Sequence, residues 1–311
     1  MNKNQWSGIF PALLTPFTAD DKIDYQMFEK NLEFQIEAGI TGIVLGGSLG
    51  EASTLTGAEK RELLRESVKI VKQRIPIIST VAEKSTADAI ACAKNAEEDG
   101  ADGIMMLPPL QYKADDREIV TYFKAVAAKT ALPILIYNNP VDYKLEVTID
   151  MFDQLSSVEN IHAVKESTRD VTNVSRMRSK FGDRYQILCG VDTLALEEIL
   201  LGADGWLGGL VDAFPAETVA IVRLAQAGRV KEAVEIYRWF MPLLELDIRP
   251  KLVQYIKLAA TEVGLSNVYV RAPRLQIEGE EKASVMAIIK EGIKNRPTLP
   301  EFSKSGELVN A

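Results

Sequence analysis

Pro133-Ile134-Leu135-Ile136-Tyr137-Asn138-Asn139-Pro140 and, about one βα unit later, Ile161-His162-Ala163-Val164-Lys165 are two short apolar runs, and each ends on a reactive group. Runs of this length and composition, bounded by turn residues, read as strands buried on both faces. The second run closes on a lysine, a poor place for a charge without a role, and the first closes on a phenol. With period-2 alternation, Ile161, Ala163 and Lys165 share one face, as do Pro133, Leu135 and Tyr137. Adjacent strands lie about 4.8 Å apart, so a nucleophilic amine and a proton carrier are expected to face one another where two consecutive strands end.

Outward from this pair the chain alternates apolar runs with stretches of helical period. Strands are expected near Ile9–Leu14, Gly42–Leu45, Pro76–Thr80, Gly103–Leu107, Pro133–Tyr137, His162–Lys165, Gln186–Cys189 and Gly205–Gly208. Between them lie helical patterns at Tyr25–Glu37, Glu59–Lys72, Ser85–Glu98, Ile119–Lys129, Val171–Phe181, Leu194–Leu201 and Ala216–Ala227. Steps of about 19 to 34 residues suit parallel strands joined by crossover helices. Thr56-Gly57-Ala58-Glu59 has the spacing of a capping box and marks a helix start. Eight such units predict an α/β fold, a closed (β/α)8 TIM barrel over residues 1–228. A doubly wound open sheet is the rival, but Thr15-Pro16-Phe17 after the first run offers no glycine-rich dinucleotide turn. Three further helical patterns, Val230–Leu246, Pro250–Val263 and Ala283–Ile293, follow without a strand, so residues 229–311 are expected to form a C-terminal helical bundle and a surface tail.

Composition narrows the function. Across 311 residues, 44 acidic against 36 basic side chains give a net charge of −8, which argues against a sequence-independent grip on nucleic acid or an anionic membrane. No segment reaches the roughly 18 unbroken apolar residues of a membrane span. The start, Met1-Asn2-Lys3-Asn4-Gln5, lacks the apolar core of a signal peptide, so the cytoplasm is the expected location. Cys92, in a helical pattern, and Cys189, at a strand end, lack the spacing of a metal or disulfide framework and read as buried thiols. The single histidine, His162, sits inside a strand pattern, and no metal is expected.

Catalytic groups of such barrels sit where the strands end and the loops leave, which is where Lys165 and Tyr137 fall. After the second run comes Gly46-Gly47-Ser48-Leu49-Gly50-Glu51, whose glycines let backbone amides and the Ser48 hydroxyl turn toward an anion. This loop, the lysine ending the sixth run and Tyr-Asn-x-Pro ending the fifth together resemble the dihydrodipicolinate synthase/N-acetylneuraminate lyase family of class I aldolases. The resemblance spans nearly the whole chain, trailing helices included.

The resemblance implies that Lys165 attacks the ketone of pyruvate or another 2-oxo acid to give a Schiff base, and that Tyr137 shuttles protons to and from it. It implies that Ser48 and the Leu49 amide hold the substrate carboxylate, with Gly47 giving the backbone room. Gly190, Leu207 and Gly208 match positions that line the pocket. The covalent lysine imine serves as electron sink, so no cofactor is implied, and a homodimer or homotetramer is the implied assembly. Desolvation at an apolar strand end would lower the lysine pKa from its usual value of about 10.4.

Departures from the family pattern bear on substrate. Asp142 stands where the synthase carries an arginine for a second carboxylate, Pro109-Leu110 stands where it has a tyrosine pair, and Ser48-Leu49 replaces paired threonines. Tyr112 is the candidate replacement for the missing relay tyrosine. The pattern is therefore expected to serve dehydration or deamination of a 2-keto-3-deoxy sugar acid or hydroxy-pyrroline carboxylate, or retro-aldol cleavage to pyruvate, with Asn139, Asp142, Tyr143, Gln111 and Tyr112 deciding among them. 4-Hydroxy-tetrahydrodipicolinate synthesis from pyruvate and aspartate semialdehyde is the alternative. From other classes, a metal-dependent aldolase would need a histidine and carboxylate cluster, and a silent barrel would bind the 2-oxo acid without turning it over.

Overall fold

The computed structural model describes residues 1, 5–300 and 302. Its strands are β1 (Gly8–Pro11), β2 (Ile43–Leu45), β3 (Ile77–Val81), β4 (Gly103–Met106), β5 (Ile134–Asn138), β6 (Ile161–Glu166), β7 (Gln186–Cys189) and β8 (Gly205–Gly208). All neighbouring pairs are parallel, in the order β1-β8-β7-β6-β5-β4-β3-β2. The ends meet through a parallel bridge between Ala12 and Val44, supported by the Leu13 amide on the Val44 carbonyl at 2.9 Å and the Thr41 amide on Ile9 at 2.8 Å. Closure leaves no open edge, which makes this the (β/α)8 barrel the alternation predicts and removes the doubly wound rival.

Around the barrel run α1 (Tyr25–Glu37), α2 (Gly57–Val71), α3 (Thr86–Glu98), α4 (Asp116–Ala127), α5 (Pro140–Tyr143), α6 (Ile149–Leu155), α7 (Thr172–Phe181), α8 (Ala195–Leu200) and α9 (Pro215–Gln226). Thr56 and Glu59 cap α2 reciprocally as the spacing requires, and Asp115 and Glu118 do the same for α4. Two helices escaped the sequence reading, α5 and α6. Each is too short to show a helical period: α6 has 7 residues and buries only Met151, Phe152 and Leu155.

The decisive register is that of β5 against β6. It steps by one residue between Ile134 and Leu135, where β6 carries His162 as the extra residue. That bulge takes Ile161 out of the alternation that Ala163 and Lys165 follow. Beyond it Leu135 pairs with Ala163 and Tyr137 with Lys165, so the expected juxtaposition holds at the end of the strands that matters.

The chain continues as α10 (Val230–Leu244), α11 (Leu252–Glu262) and α12 (Gly279–Lys294). Aromatic side chains join these helices to the barrel: Trp206 on β8 meets Tyr237 and Phe240 with ring centroids 6.3 and 6.5 Å apart, and Phe214 meets Trp239 at 5.9 Å and Phe240 at 5.5 Å. The apolar face of α10 is thus used for packing. Of the expected surface tail, residues 296–300 and Phe302 are described and pack along the surface, Arg296 pairing with Glu217 of α9 and Phe302 lying beside Arg223, while residues 301 and 303–311 lie outside the described residues. Among the described residues no helix is long and apolar enough to cross a membrane. Cys189 is buried, as expected, whereas Cys92 is only half-buried because it faces a cleft between α2 and α3.

Candidate active site

At the C-terminal mouth of the barrel lies a cavity of about 80 Å³, the size for a small acid rather than a drug-sized ligand. Lys165, Tyr137, Gly47, Ser48, Leu49, Asn139, Gly190, Leu207 and Gly208 all line it. Of the expected site residues, Gln111 and Tyr112 are elsewhere: both are exposed on the loop after β4, Tyr112 at 56% with its phenol beside Glu118.

Lys165 is 7% exposed, and its Nζ lies 4.4 Å from the centroid of the Tyr137 ring. Among the described residues it has no carboxylate within ion-pair distance, Glu166 and Asp192 included. Glu166 instead accepts from the Thr168 amide and Asn173, on the outer side of the barrel. Burial lowers the Lys165 pKa, and the nearby carboxylates of Asp247 and Asp192 and the Tyr143 phenol oppose that shift only in part. Room for the lysine chain comes from Gly190, where an added Cβ would stand 2.7 Å from both Cγ and Cε of Lys165.

Burial pushes the Tyr137 phenol up to about 12, so it rests protonated, with Asn139 donating to its oxygen at 3.0 Å. Asn139 also caps α5, accepting from the Asp142 amide at 3.1 Å and donating to the Asp142 carboxylate at 2.8 Å. That cap sets Tyr143, the last residue of α5, against the glycine loop. Tyr143 shares a short 2.5 Å hydrogen bond with the Ser48 hydroxyl and stacks edge-on against Tyr137, 5.7 Å between centroids. Within one chain the tyrosine that reaches Ser48 is Tyr143.

The glycine loop leaves β2 and turns back through Glu51, which adopts a left-handed conformation with φ of 55°. Among the described residues the Ser48 and Leu49 amides meet no acceptor, which leaves both donors for an anion. The loop is held from behind. Glu51 and Lys257, both fully buried, pair at 2.5 Å, and the Arg271 amide donates to the other Glu51 oxygen at 3.2 Å.

Four lining residues carried no signal in the linear sequence. Ser167, 1% exposed, lies beside the Tyr137 hydroxyl. Arg169 reaches the rim from the loop after β6 and meets Asp142 at 3.7 Å. Asp142 stands at that rim on α5, as the loop expectation allowed, whereas Asp247 and Ile248 come from the turn after α10. A lysine whose pKa burial lowers, a protonated phenol against it and free amides for an anion bring together the groups that imine formation would need.

The barrel with a buried lysine at its mouth is the architecture of a small-molecule enzyme, and comparison with known proteins gives the family. Residues 5–292 match the model of the dihydrodipicolinate synthetase family, and the chain belongs to it. The 4-hydroxy-tetrahydrodipicolinate synthase of Persephonella marina is 32% identical over 92% of this chain and 98% of its own length. That of Exiguobacterium sibiricum is 32% identical over 89% and 94%. Among solved structures, dihydrodipicolinate synthase from Aquifex aeolicus superposes with a TM-score of 0.88 at 29% identity, covering 92% of this chain and 97% of its own. The enzyme from Bacillus anthracis gives 0.89 at 29%, covering 94% and 99%. The chain is thus a pyruvate-dependent lyase of a family that forms a lysine Schiff base and takes no external cofactor.

Proposed function

We propose that this enzyme acts on a hydroxylated 2-oxo acid or cyclic imino acid, dehydrating or deaminating a 2-keto-3-deoxy sugar acid or hydroxy-pyrroline carboxylate, or cleaving such an acid to pyruvate. The observation that carries this reading is the charge on the cavity wall. Asp142 and Asp247 line it, and Arg169 there is turned toward Asp142. Such a wall receives a hydroxyl or amino group more readily than a second carboxylate.

In this reading the substrate carboxylate sits on the Ser48 and Leu49 amides, and the neutral Lys165 amine adds to the adjacent ketone carbon. Tyr137 gives the proton that lets water leave the carbinolamine, and Tyr143 with Ser48 passes protons toward solvent. The iminium that results draws electrons from the neighbouring carbon, so a bond one carbon further along can break without a metal. The preference for dry surroundings is physical: protonated lysine is not a nucleophile.

A second reading, 4-hydroxy-tetrahydrodipicolinate synthase, is favoured by the names of the relatives, and Arg169 freed from Asp142 would supply a second carboxylate contact. Pyruvate plus aspartate semialdehyde, hydroxylated pyrroline carboxylates, 2-keto-3-deoxy acids and sialic acid, each followed for condensation product, ammonia, water-loss product or pyruvate, separate the two. The imine itself is tested with pyruvate and borohydride. Wild-type protein should gain the mass of a reduced pyruvate adduct on Lys165, Lys165→Ala should gain none and lose all turnover, and Tyr137→Phe should trap slowly, by about 10²-fold or more. Full activity in the alanine variant would overturn the assignment.

The reading extends to assembly and place. Tyr112, solvent-facing in one chain, suits a contact between copies in a homodimer or homotetramer, and two free thiols suit the reducing cytoplasm.

A further inference from the structure

We infer that Asp247, delivered to the barrel mouth by the turn after α10, meets the substrate beyond its imine carbon and gives a proton to the hydroxyl or amino group that departs there. The inference rests on the imine reading and adds to it a residue outside the barrel strands and their loops.

Three observations support it. Asp247 lines the same cavity as Lys165 and Tyr137. Its carboxyl group is near enough to the Lys165 amine for each to act on the other's charge. Its position depends on a glycine: a Cβ on Gly209 would stand 2.8 Å from Asp247 Oδ1, so the bare backbone after β8 is what admits the carboxyl group. Burial and the neighbouring Asp192 hold the Asp247 carboxyl well above the usual range, with Lys165 opposing, which favours the proton-bearing form an acid needs. Asp192 is already committed, accepting from the Trp206 indole at 2.8 Å and the Leu210 amide at 2.8 Å. Asp142 is tied to Asn139 and Arg169.

The step balances without a further reactant. Loss of a proton from the carbon next to the iminium, taken by the deprotonated Tyr137 relay, gives an enamine. The enamine nitrogen pair re-forms the C=N bond, the former C=C pair moves one bond along to make a new C=C, and the C–O or C–N bond beyond breaks with its electron pair on the heteroatom. Asp247 supplies the proton with which that heteroatom leaves as water or amine, and its carboxylate is reprotonated from solvent.

Asp247→Asn keeps size and loses the acid, and two readouts test it. Exchange of the pyruvate methyl protons in D2O and borohydride trapping of pyruvate need no departing group, so both should persist in the variant, shifted only as far as loss of the Asp247 charge alters the Lys165 amine, and their persistence reports a folded site. Turnover of the hydroxylated acid that wild type accepts should fall by about 10²-fold or more. Wild-type turnover in the variant would overturn the inference, because no proton would then come from Asp247. Parallel loss of trapping, exchange and turnover would overturn it too, assigning Asp247 to the upkeep of Lys165. Absence of trapping in wild type would instead refute the imine reading.

Discussion

Individual side chains in this molecule are set by what buries them. Lys165 and Glu198 show the same physics with opposite uses. At Lys165, desolvation favours the neutral amine, which is the nucleophilic form. Glu198 on α8 is fully buried, its oxygens meet no hydrogen-bond partner of ordinary geometry among the described residues, and burial with the Glu166 charge pushes its pKa from 4.5 up to about 8. An unfolded chain releases that proton near pH 4.5 and the folded chain only near 8. The stability Glu198 allows is therefore complete below pH 4.5 and is lost progressively as the pH rises to about 8. Glu198→Gln should remove this dependence. Urea unfolding should show it more stable than wild type at pH 8 by on the order of a few kcal/mol, with little difference at pH 4. Parallel stability curves across that range would show that Glu198 is ionised and compensated in the fold.

Elements matter here through what pins them. The glycine loop must present two amides at a fixed place, yet loops are the least rigid parts of a barrel. Its anchor is the Glu51–Lys257 pair, which links the loop to α11, with Lys257 also donating to the Tyr269 carbonyl at 2.7 Å and lying 4.5 Å from the Phe17 ring. Breaking such a pair leaves the buried Glu51 charge with only the more distant Arg274, 3.7 Å away, to oppose it, at a cost of up to about 3–5 kcal/mol. Lys257→Met should therefore destabilise the enzyme by about that amount in denaturant titration and weaken pyruvate capture. Adding Glu51→Gln should restore much of the stability, and additive losses in the double variant would deny the coupling. The α5 helix works in the same way on a smaller scale: four residues capped by Asn139 place Tyr143 on Ser48.

For the whole molecule, the helices after residue 228 complete the site as well as cover the barrel. They supply Asp247 to the cavity and Lys257 to the loop, and their Trp239 and Phe240 cover Phe214. A chain ending at residue 228 should consequently fail to fold cooperatively, with weak near-UV circular dichroism and no pyruvate trapping. A soluble, cooperatively melting barrel from that shortened chain would contradict this. What the sequence alone determined was the closed eight-stranded alternation, the positions of Lys165 and Tyr137 at strand ends and the glycine loop, because periodicity and strand termini are local properties that a linear pattern records. The β6 bulge at His162, the approach of Tyr143 to Ser48, the pairing of Arg169 with Asp142 and the arrival of Asp247 were decided only by the tertiary structure. They depend on which distant segments barrel closure brings to one rim, and Asp247 lies 82 residues beyond Lys165 with nothing in its immediate neighbours to mark the meeting.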